Sequence, residues 1–364
     1  MNGIIANFSA LIIGLVVTAC AHSKTNDVEA QAPLDRPELA QMVETFAVET
    51  NFSGTVLVAD AGNVVLERAF NIPELAYDPI HIDSRFAIAS ITKSFTAILT
   101  LQLAEKGMLD LEDSLNTHLP ELQAEYADQV TIRQLLQNRS GILHYTSLPN
   151  WFDAEHKRTL THETLIQDIS QLPLKFEPGT DYLYSNANFY LLGMVIEGVT
   201  GFPYEVVLAD NILDPAGLMD TGQIYSANKA IAQNYLREED GSYSHISIAN
   251  PGLFRATASQ YTTARDLFRL HIALQGETLL NARSKAEMFN AEVPMAWTVG
   301  ALPFENDQTS GFQSYNGELV GYTSMITRFP EHNGAVIILN NNNAGYETLA
   351  RLTLEIAAQL YAPN

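Results

Sequence analysis

Ser90-Ile91-Thr92-Lys93 decides how this chain is read. It follows an apolar run, Phe86-Ala87-Ile88-Ala89, and opens a segment in which Ile91, Phe95, Ile98 and Leu99 recur at three- and four-residue steps. That spacing predicts a helix beginning at Ser90. One turn of such a helix puts Ser90 and Lys93 on one face, with the amine in reach of the hydroxyl. The free N–H groups and partial positive charge of the helix start lie beside the same oxygen. A serine hydroxyl is a weak nucleophile until something takes its proton, and a partly desolvated lysine can help do that. The pattern alone is cheap, since a chain of this size holds about one Ser-x-x-Lys by chance. A second, Ser226-Ala227-Asn228-Lys229, lies in a polar stretch with no helix start after it and reads as loop. The plain alternative for Ser90 is an N-cap serine with a solvated lysine one turn on.

The size and charge of the chain bound what that serine serves. With 364 residues the chain holds one large domain or two of ordinary size, each with a real core. Hydrophobic residues make up 46% and charged residues 17%, which is globular composition, and there is no repeat or low-complexity tract. Twenty basic residues against 42 acidic give a net charge of −22. That argues against nucleic acid and against an anionic membrane surface as partners. It also predicts weak attraction for anionic substrates unless a local Lys or Arg overrides the field.

The first residues read as an export signal. Ile4 to Ala19 is almost wholly apolar and uncharged, short for a membrane span and right for a signal h-region, although no Lys or Arg stands near Met1. The run ends in Val17-Thr18-Ala19-Cys20, and Cys20 is the only cysteine. The expected organisation is a lipoprotein signal over 1–19, lipidation of Cys20, a tether over 20–37 and a folded domain over 38–364. The protein is then held on the periplasmic side of a membrane, the outer membrane of a Gram-negative cell, through lipidated Cys20 alone. With one cysteine the folded part uses no disulfide.

Within the folded part, Gly54–Val58 and Val64–Arg68 read as a β-hairpin turned at Asp60-Ala61-Gly62-Asn63. Helical patterns follow: one from Lys93 closed by Gly107, then Ile132–Leu136, Asn188–Val199 before Thr200-Gly201, and Thr262–Leu274. Short apolar strands return at Phe312–Tyr315, Ser324–Phe329 and Ala335–Asn340, and Tyr346–Tyr361 forms a closing amphipathic helix. Strands at both ends with helices between predict an α+β fold. One antiparallel sheet is built from both chain ends (about 38–105 and 295–364), with a mostly helical part inserted (about 106–294).

Two further motifs bear on chemistry. Tyr184-Ser185-Asn186 precedes a helix and is the only Tyr-x-Asn in the chain. A tyrosine beside a lysine can shuttle a proton, because positive neighbours favour the phenolate. The Asn186 amide can position Lys93 or a substrate amide. By itself the motif also fits a buried tyrosine and a capping asparagine. Tyr315-Asn316-Gly317 sits at the end of a predicted strand, where a glycine lets a substrate lie against the edge. Backbone N–H groups at that edge, with the N–H of Ser90, can complete an oxyanion hole. Read alone, the same residues are a hairpin turn.

The order of the three motifs resembles the serine β-lactamase and penicillin-binding protein superfamily, in particular its class C-like branch. The resemblance extends to Phe86–Ser90, to Ile132-Arg133-Gln134-Leu135-Leu136 with Ser140-Gly141-Ile142, to Pro178-Gly179 and to Asp214–Met219. It implies a sheet of five or so antiparallel strands, a helical domain and a site between them. It implies Ser90 as nucleophile, Lys93 and Tyr184 as proton-transfer pair, Asn186 as positioning amide, and Tyr315, Asn316 and Gly317 along the substrate. The N–H groups of Ser90 and Glu318 would hold the oxyanion. It implies no metal or organic cofactor. One departure stands out: relatives carry Lys or His where this chain has Tyr315. His144 reads as a loop histidine, and Arg255 is a nearby cation able to replace the missing charge.

The function expected is a serine acyl hydrolase working on a small ester or peptide-like amide through a Ser90 acyl-enzyme. A D-Ala-D-Ala carboxypeptidase-like or D-amino-acid peptidase comes next, then a β-lactamase. The non-enzyme reading is an acylatable sensor or binding lipoprotein.

Overall fold

The run Thr55-Val56-Leu57-Val58 is rich in β-branched residues and buried on both faces, the pattern of a strand inside a sheet. In the computed structural model, which describes residues 36–75, 79–148, 151, 159–304 and 308–362, it is strand β1 (Gly54–Asp60). The expected signal and Cys20 lie outside the described residues. A tight turn at Ala61 and Gly62, both at positive φ, returns the chain as β2 (Asn63–Phe70). The remaining strands of this sheet come from the far end of the sequence: β3 (Thr298–Pro303), β4 (Thr309–Leu319), β5 (Tyr322–Phe329) and β6 (Gly334–Asn340). They form one sheet in the order β2-β1-β6-β5-β4-β3, antiparallel throughout. The two chain ends meet where Gly54 pairs with Asn340 and Ala59 with Ala335.

Alternation along the strands divides the core in two. Val56, Val58, Met325, Phe329, Val336 and Ile338 face helices α1 (Pro37–Thr50) and α5 (Tyr346–Tyr361), meeting Leu39, Val43, Leu349, Leu352 and Ile356. Leu57, Ile326, Ile337 and Leu339 face the other way, into the larger core shared with α2 (Thr92–Glu105), α3 (Asn186–Thr200) and α4 (Ala264–Gln275). Helix α4 comes from the middle of the sequence, yet it packs on β1 and β6.

Most expected elements are present, with three differences. The sheet has six strands, because β3 was not legible: Thr298-Val299-Gly300-Ala301-Leu302-Pro303 carries a Gly and a Pro. As an edge strand β3 tolerates Pro303, and Gly300 lies where a Cβ would come 2.8 Å from the Phe312 ring of β4. Helix α3 starts two residues before the expected Asn188. Helix α2 is buried all round from Thr92 to Leu103 and shows no polar face. Its Thr96 and Thr100 hydroxyls donate back to the carbonyls of Thr92 and Thr96, which allows polar residues inside the core.

Ile338 lies wholly buried at the centre of the first core. Ile338→Ala should cost about 2–5 kcal/mol. Urea unfolding should show this as a lower midpoint at unchanged slope.

Candidate active site

Ser90 does not open the α-helix. It lies in a single 3₁₀ turn, Ala89–Ile91, that leads into α2. Ala89 has φ +47, a left-handed conformation that costs a residue with a Cβ about 1–2 kcal/mol. The surroundings hold it there. The Ile88 N–H donates to Gln260 O (2.9 Å), Ile91 N–H closes the turn on Ile88 O (3.2 Å), and the Ser324 hydroxyl of β5 donates to Ile88 O (2.9 Å). Strand β4 runs against the same turn. A Cβ on Gly317 would lie 2.1 Å from Ile88 O and 2.9 Å from the Ser90 nitrogen, so this position admits glycine only.

Lys93, in the first turn of α2, is completely buried. Its ammonium group donates to Ser90 Oγ (2.9 Å) and to the Thr257 carbonyl (2.9 Å). It also lies 5.0 Å from the centre of the Tyr184 ring and 5.9 Å from that of Phe189. Burial lowers the lysine's affinity for its proton, and the nearby Tyr184 oxygen works against that shift.

The Tyr184 hydroxyl lies 2.8 Å from Ser90 Oγ. Burial by itself would raise its pKa. The Lys93 charge, with hydrogen bonds to Lys93 and Ser90, outweighs burial and holds the phenol below its ordinary value. The tyrosine is aimed by its neighbours. Ser185 caps α3, its hydroxyl accepting from Ala187 N–H (3.2 Å) and donating to Leu143 O (3.1 Å). Asn138, at φ +54, accepts from Ser185 N–H and Asn188 Nδ2 through its side chain and from Leu183 N–H through its carbonyl. Gly141, at φ +79, packs where a Cβ would come 2.4 Å from Phe176 O.

The third motif is in mid-strand, not at a strand end, because β4 continues to Leu319. Alternation sorts its residues by face. Tyr315 and Gly317 share the face toward Ser90. Asn316 pairs with Met325 and shares its face toward α5, so only the Asn316 backbone can meet a substrate. Glu318 follows on the same edge, and its carboxylate turns away to accept from Tyr346 N–H (2.9 Å). The β3 partner of β4 ends at Ser314, so residues 315–319 present an edge that β3 does not cover. The Tyr315 hydroxyl is buried beside Tyr184 and has no well-formed hydrogen bond. Burial, then the Tyr184 oxygen, pushes its pKa well above 10, so it stays a neutral phenol.

Three other expected residues make no hydrogen bond to Ser90 or Lys93. Asn186 makes no hydrogen bond to Lys93, and its buried Oδ1 has no partner. Arg255 forms an ion pair with Glu197, which offsets its charge. His144 lies at the rim, 5.9 Å from the Tyr184 ring, and its Nδ1 accepts from the Thr146 hydroxyl (2.7 Å). Burial and the Lys93 charge push it down to about 4, so it is uncharged at neutral pH. Sequence reasoning missed Thr257, which acts through a backbone carbonyl and leaves no mark in residue type. It also missed Asn138 and Ser324, polar residues whose burial only the fold reveals. Among the described residues no group of three or more His, Cys, Asp or Glu is placed to hold a metal ion.

The beta-lactamase family model matches residues 39–360, nearly all of the folded chain. The chain belongs to the beta-lactamase family. That family is one of serine hydrolases. Penicillin-binding protein 4* of Bacillus subtilis is 26% identical over 339 residues, covering 86% of this chain and 73% of that protein. Among solved structures, D-amino acid amidase from Ochrobactrum anthropi SV3, complexed with L-phenylalanine amide, aligns with a TM-score of 0.74. It is 21% identical and covers 88% of this chain and 99% of its own. EstCE1, a hydrolase with promiscuous acyltransferase activity, aligns at 0.71 with 22% identity, covering 89% and 98%. The last two likenesses speak for the fold of this family member.

The Lys93 charge is the main force holding the Tyr184 phenol down, so its removal leaves burial opposed only by hydrogen bonds with Ser90 and Tyr315. A pH titration of tyrosinate absorbance should show one group ionising below 10 in the native protein. In Lys93→Met that group should move above 10. An unchanged titration in Lys93→Met would remove the electrostatic coupling between the two.

Proposed function

We propose that the chain is a serine acyl hydrolase that forms an acyl-enzyme on Ser90 and acts best on neutral esters or amides. The observation that carries this reading is one oxygen, Ser90 Oγ, in hydrogen-bond contact with both Lys93 (2.9 Å) and Tyr184 (2.8 Å). As phenolate, Tyr184 takes the Ser90 proton while Oγ attacks the substrate carbonyl carbon. The carbonyl electron pair moves onto oxygen, between the N–H groups of Ser90 and Glu318. The proton on Tyr184 then passes to the leaving group as the C–O or C–N bond breaks. Water repeats the attack on the acyl-enzyme, giving its proton to Tyr184, which passes it to Ser90 Oγ as the Oγ–acyl bond breaks and the acid departs, leaving Ser90 protonated and Tyr184 as phenolate again. Lys93 remains the buried positive charge that favours the phenolate and holds the phenol below its ordinary value.

Substrate preference follows from charge. Tyr315 stands where relatives place a cation, and Arg255 is taken by Glu197. Nothing beyond Lys93 among the residues placed around Ser90 above carries a positive charge toward a substrate's carboxylate, and the chain's net charge of −22 opposes one. A neutral donor binds a carboxylate about half as strongly as a charged one.

An activated acyl or phosphonate probe should label the native protein and leave Ser90→Ala unlabelled. Tyr184→Phe and Lys93→Ala should each lower kcat by about two to four orders of magnitude, and the two losses should not add, because the groups work as one unit. Permanent labelling by an acyl probe, with no recovery of free enzyme, would instead favour an acylatable sensor.

For a matched pair of substrates, free acid and methyl ester, kcat/KM should favour the ester by roughly five- to thirtyfold. Tyr315→Lys should narrow that ratio by raising activity on the acid. A native protein that prefers the acid would overturn the charge argument.

A further inference from the structure

Arg328 of β5 is a cation set deep in the protein, with only 1% of its surface exposed. Its guanidinium donates to His271 Nδ1 (3.1 Å), to His271 O (3.4 Å), to Gln275 Oε1 (3.4 Å) and to Gln313 Oε1. These four acceptors are all neutral and use four of the five N–H hydrogens. Among the described residues no carboxylate lies within ion-pair distance of it, although 42 acidic residues were available to the sequence. His271 cannot supply charge of either sign. Burial, followed by the Arg328 charge, pushes it down to about 3, so it is a neutral acceptor. A buried charge met only by dipoles is unusual, since a guanidinium out of water is ordinarily paired.

Arg328 also lines a cavity of about 320 Å³, with Lys285, Gln275, Gln313, Phe289 and Leu274 among its walls. That volume is at the lower end for small-molecule sites. The Lys285 ammonium is anchored on Gly276 O (2.7 Å) and keeps hydrogens to spare. The Phe289 ring lies 5.3 Å from the Arg328 guanidinium and gives the cavity an apolar side. One spare guanidinium N–H, a second cation at the rim and an aromatic wall together suit a planar anion carrying an apolar body.

We propose that this cavity binds a small organic carboxylate, its charge on Arg328 and Lys285 and its body against Phe289 and Leu274. The cavity is separate from Ser90 but connected to it: Phe289 packs on Trp297 (5.5 Å), Trp297 on Tyr315 (6.1 Å), and Gln313 lies two residues before Tyr315 on β4.

Benzoate is the probe. Calorimetric titration of the full chain, at ionic strength matched with sodium chloride, should show saturable binding. Lys285→Met should weaken it by about two- to fivefold, the usual effect of a rim charge. Arg328→Gln should weaken it by more than about tenfold. A crystal soaked in 4-bromobenzoate should place the bromine between Phe289 and Leu274, and this locates the site even if Arg328→Gln fails to fold. Heat that follows ionic strength alone, bromine only beside Ser90, or phosphate binding more tightly than benzoate would each overturn the proposal.

Discussion

A primary amine with no exposed surface sets the terms for the rest of this molecule. The Lys93 charge cannot be solvated by water, so it must be met by groups that the fold delivers to it: the Ser90 hydroxyl, the Thr257 carbonyl and the Tyr184 oxygen. Those three come from separate parts of the sequence. Removing any one leaves a buried charge short of a partner, which is costly at low dielectric. The chemistry proposed for Ser90 and the stability of the core around α2 therefore rest on the same contacts.

The turn carrying Ser90 is held in a similar way, by backbone instead of charge. Ala89 sits in a left-handed conformation, and three neighbours keep it there: Gln260 O on one side, the Ser324 hydroxyl on another, and β4 pressed against it at Gly317. Ser324 and Gly317 face each other in the register of β4 and β5, so a slip of one residue would remove both supports together. The position of Ser90 thus depends on strand register in a sheet assembled largely from the far end of the chain.

Much of this was legible in the sequence. Local periodicity marked the hairpin, the late strands and the closing helix, and the three motifs marked Ser90, Lys93 and Tyr184. What escaped was whatever depends on a neighbour distant in sequence. Edge strand β3 carries Gly and Pro because an edge permits them. Asn316 read as part of the substrate motif, yet pleating turns its side chain to the opposite face. Arg255 looked like a free cation until Glu197, on another helix, was seen to hold it. Asn138 was invisible because an asparagine in a loop carries no sign of how many bonds it will accept. Periodicity reports how a segment meets its immediate surroundings; it says nothing about which distant side chain completes a pair.

The pairing of Gly54 with Asn340 also sets an order of events during synthesis. Chains emerge from the ribosome at about 5–20 residues per second. Ser90 and Lys93 are therefore exposed well before β4, β5 and β6 exist. Until those strands arrive, the Ser90 turn lacks its supports from the Ser324 hydroxyl and from β4 at Gly317. The reactivity proposed for Ser90 therefore waits on completion of the sheet.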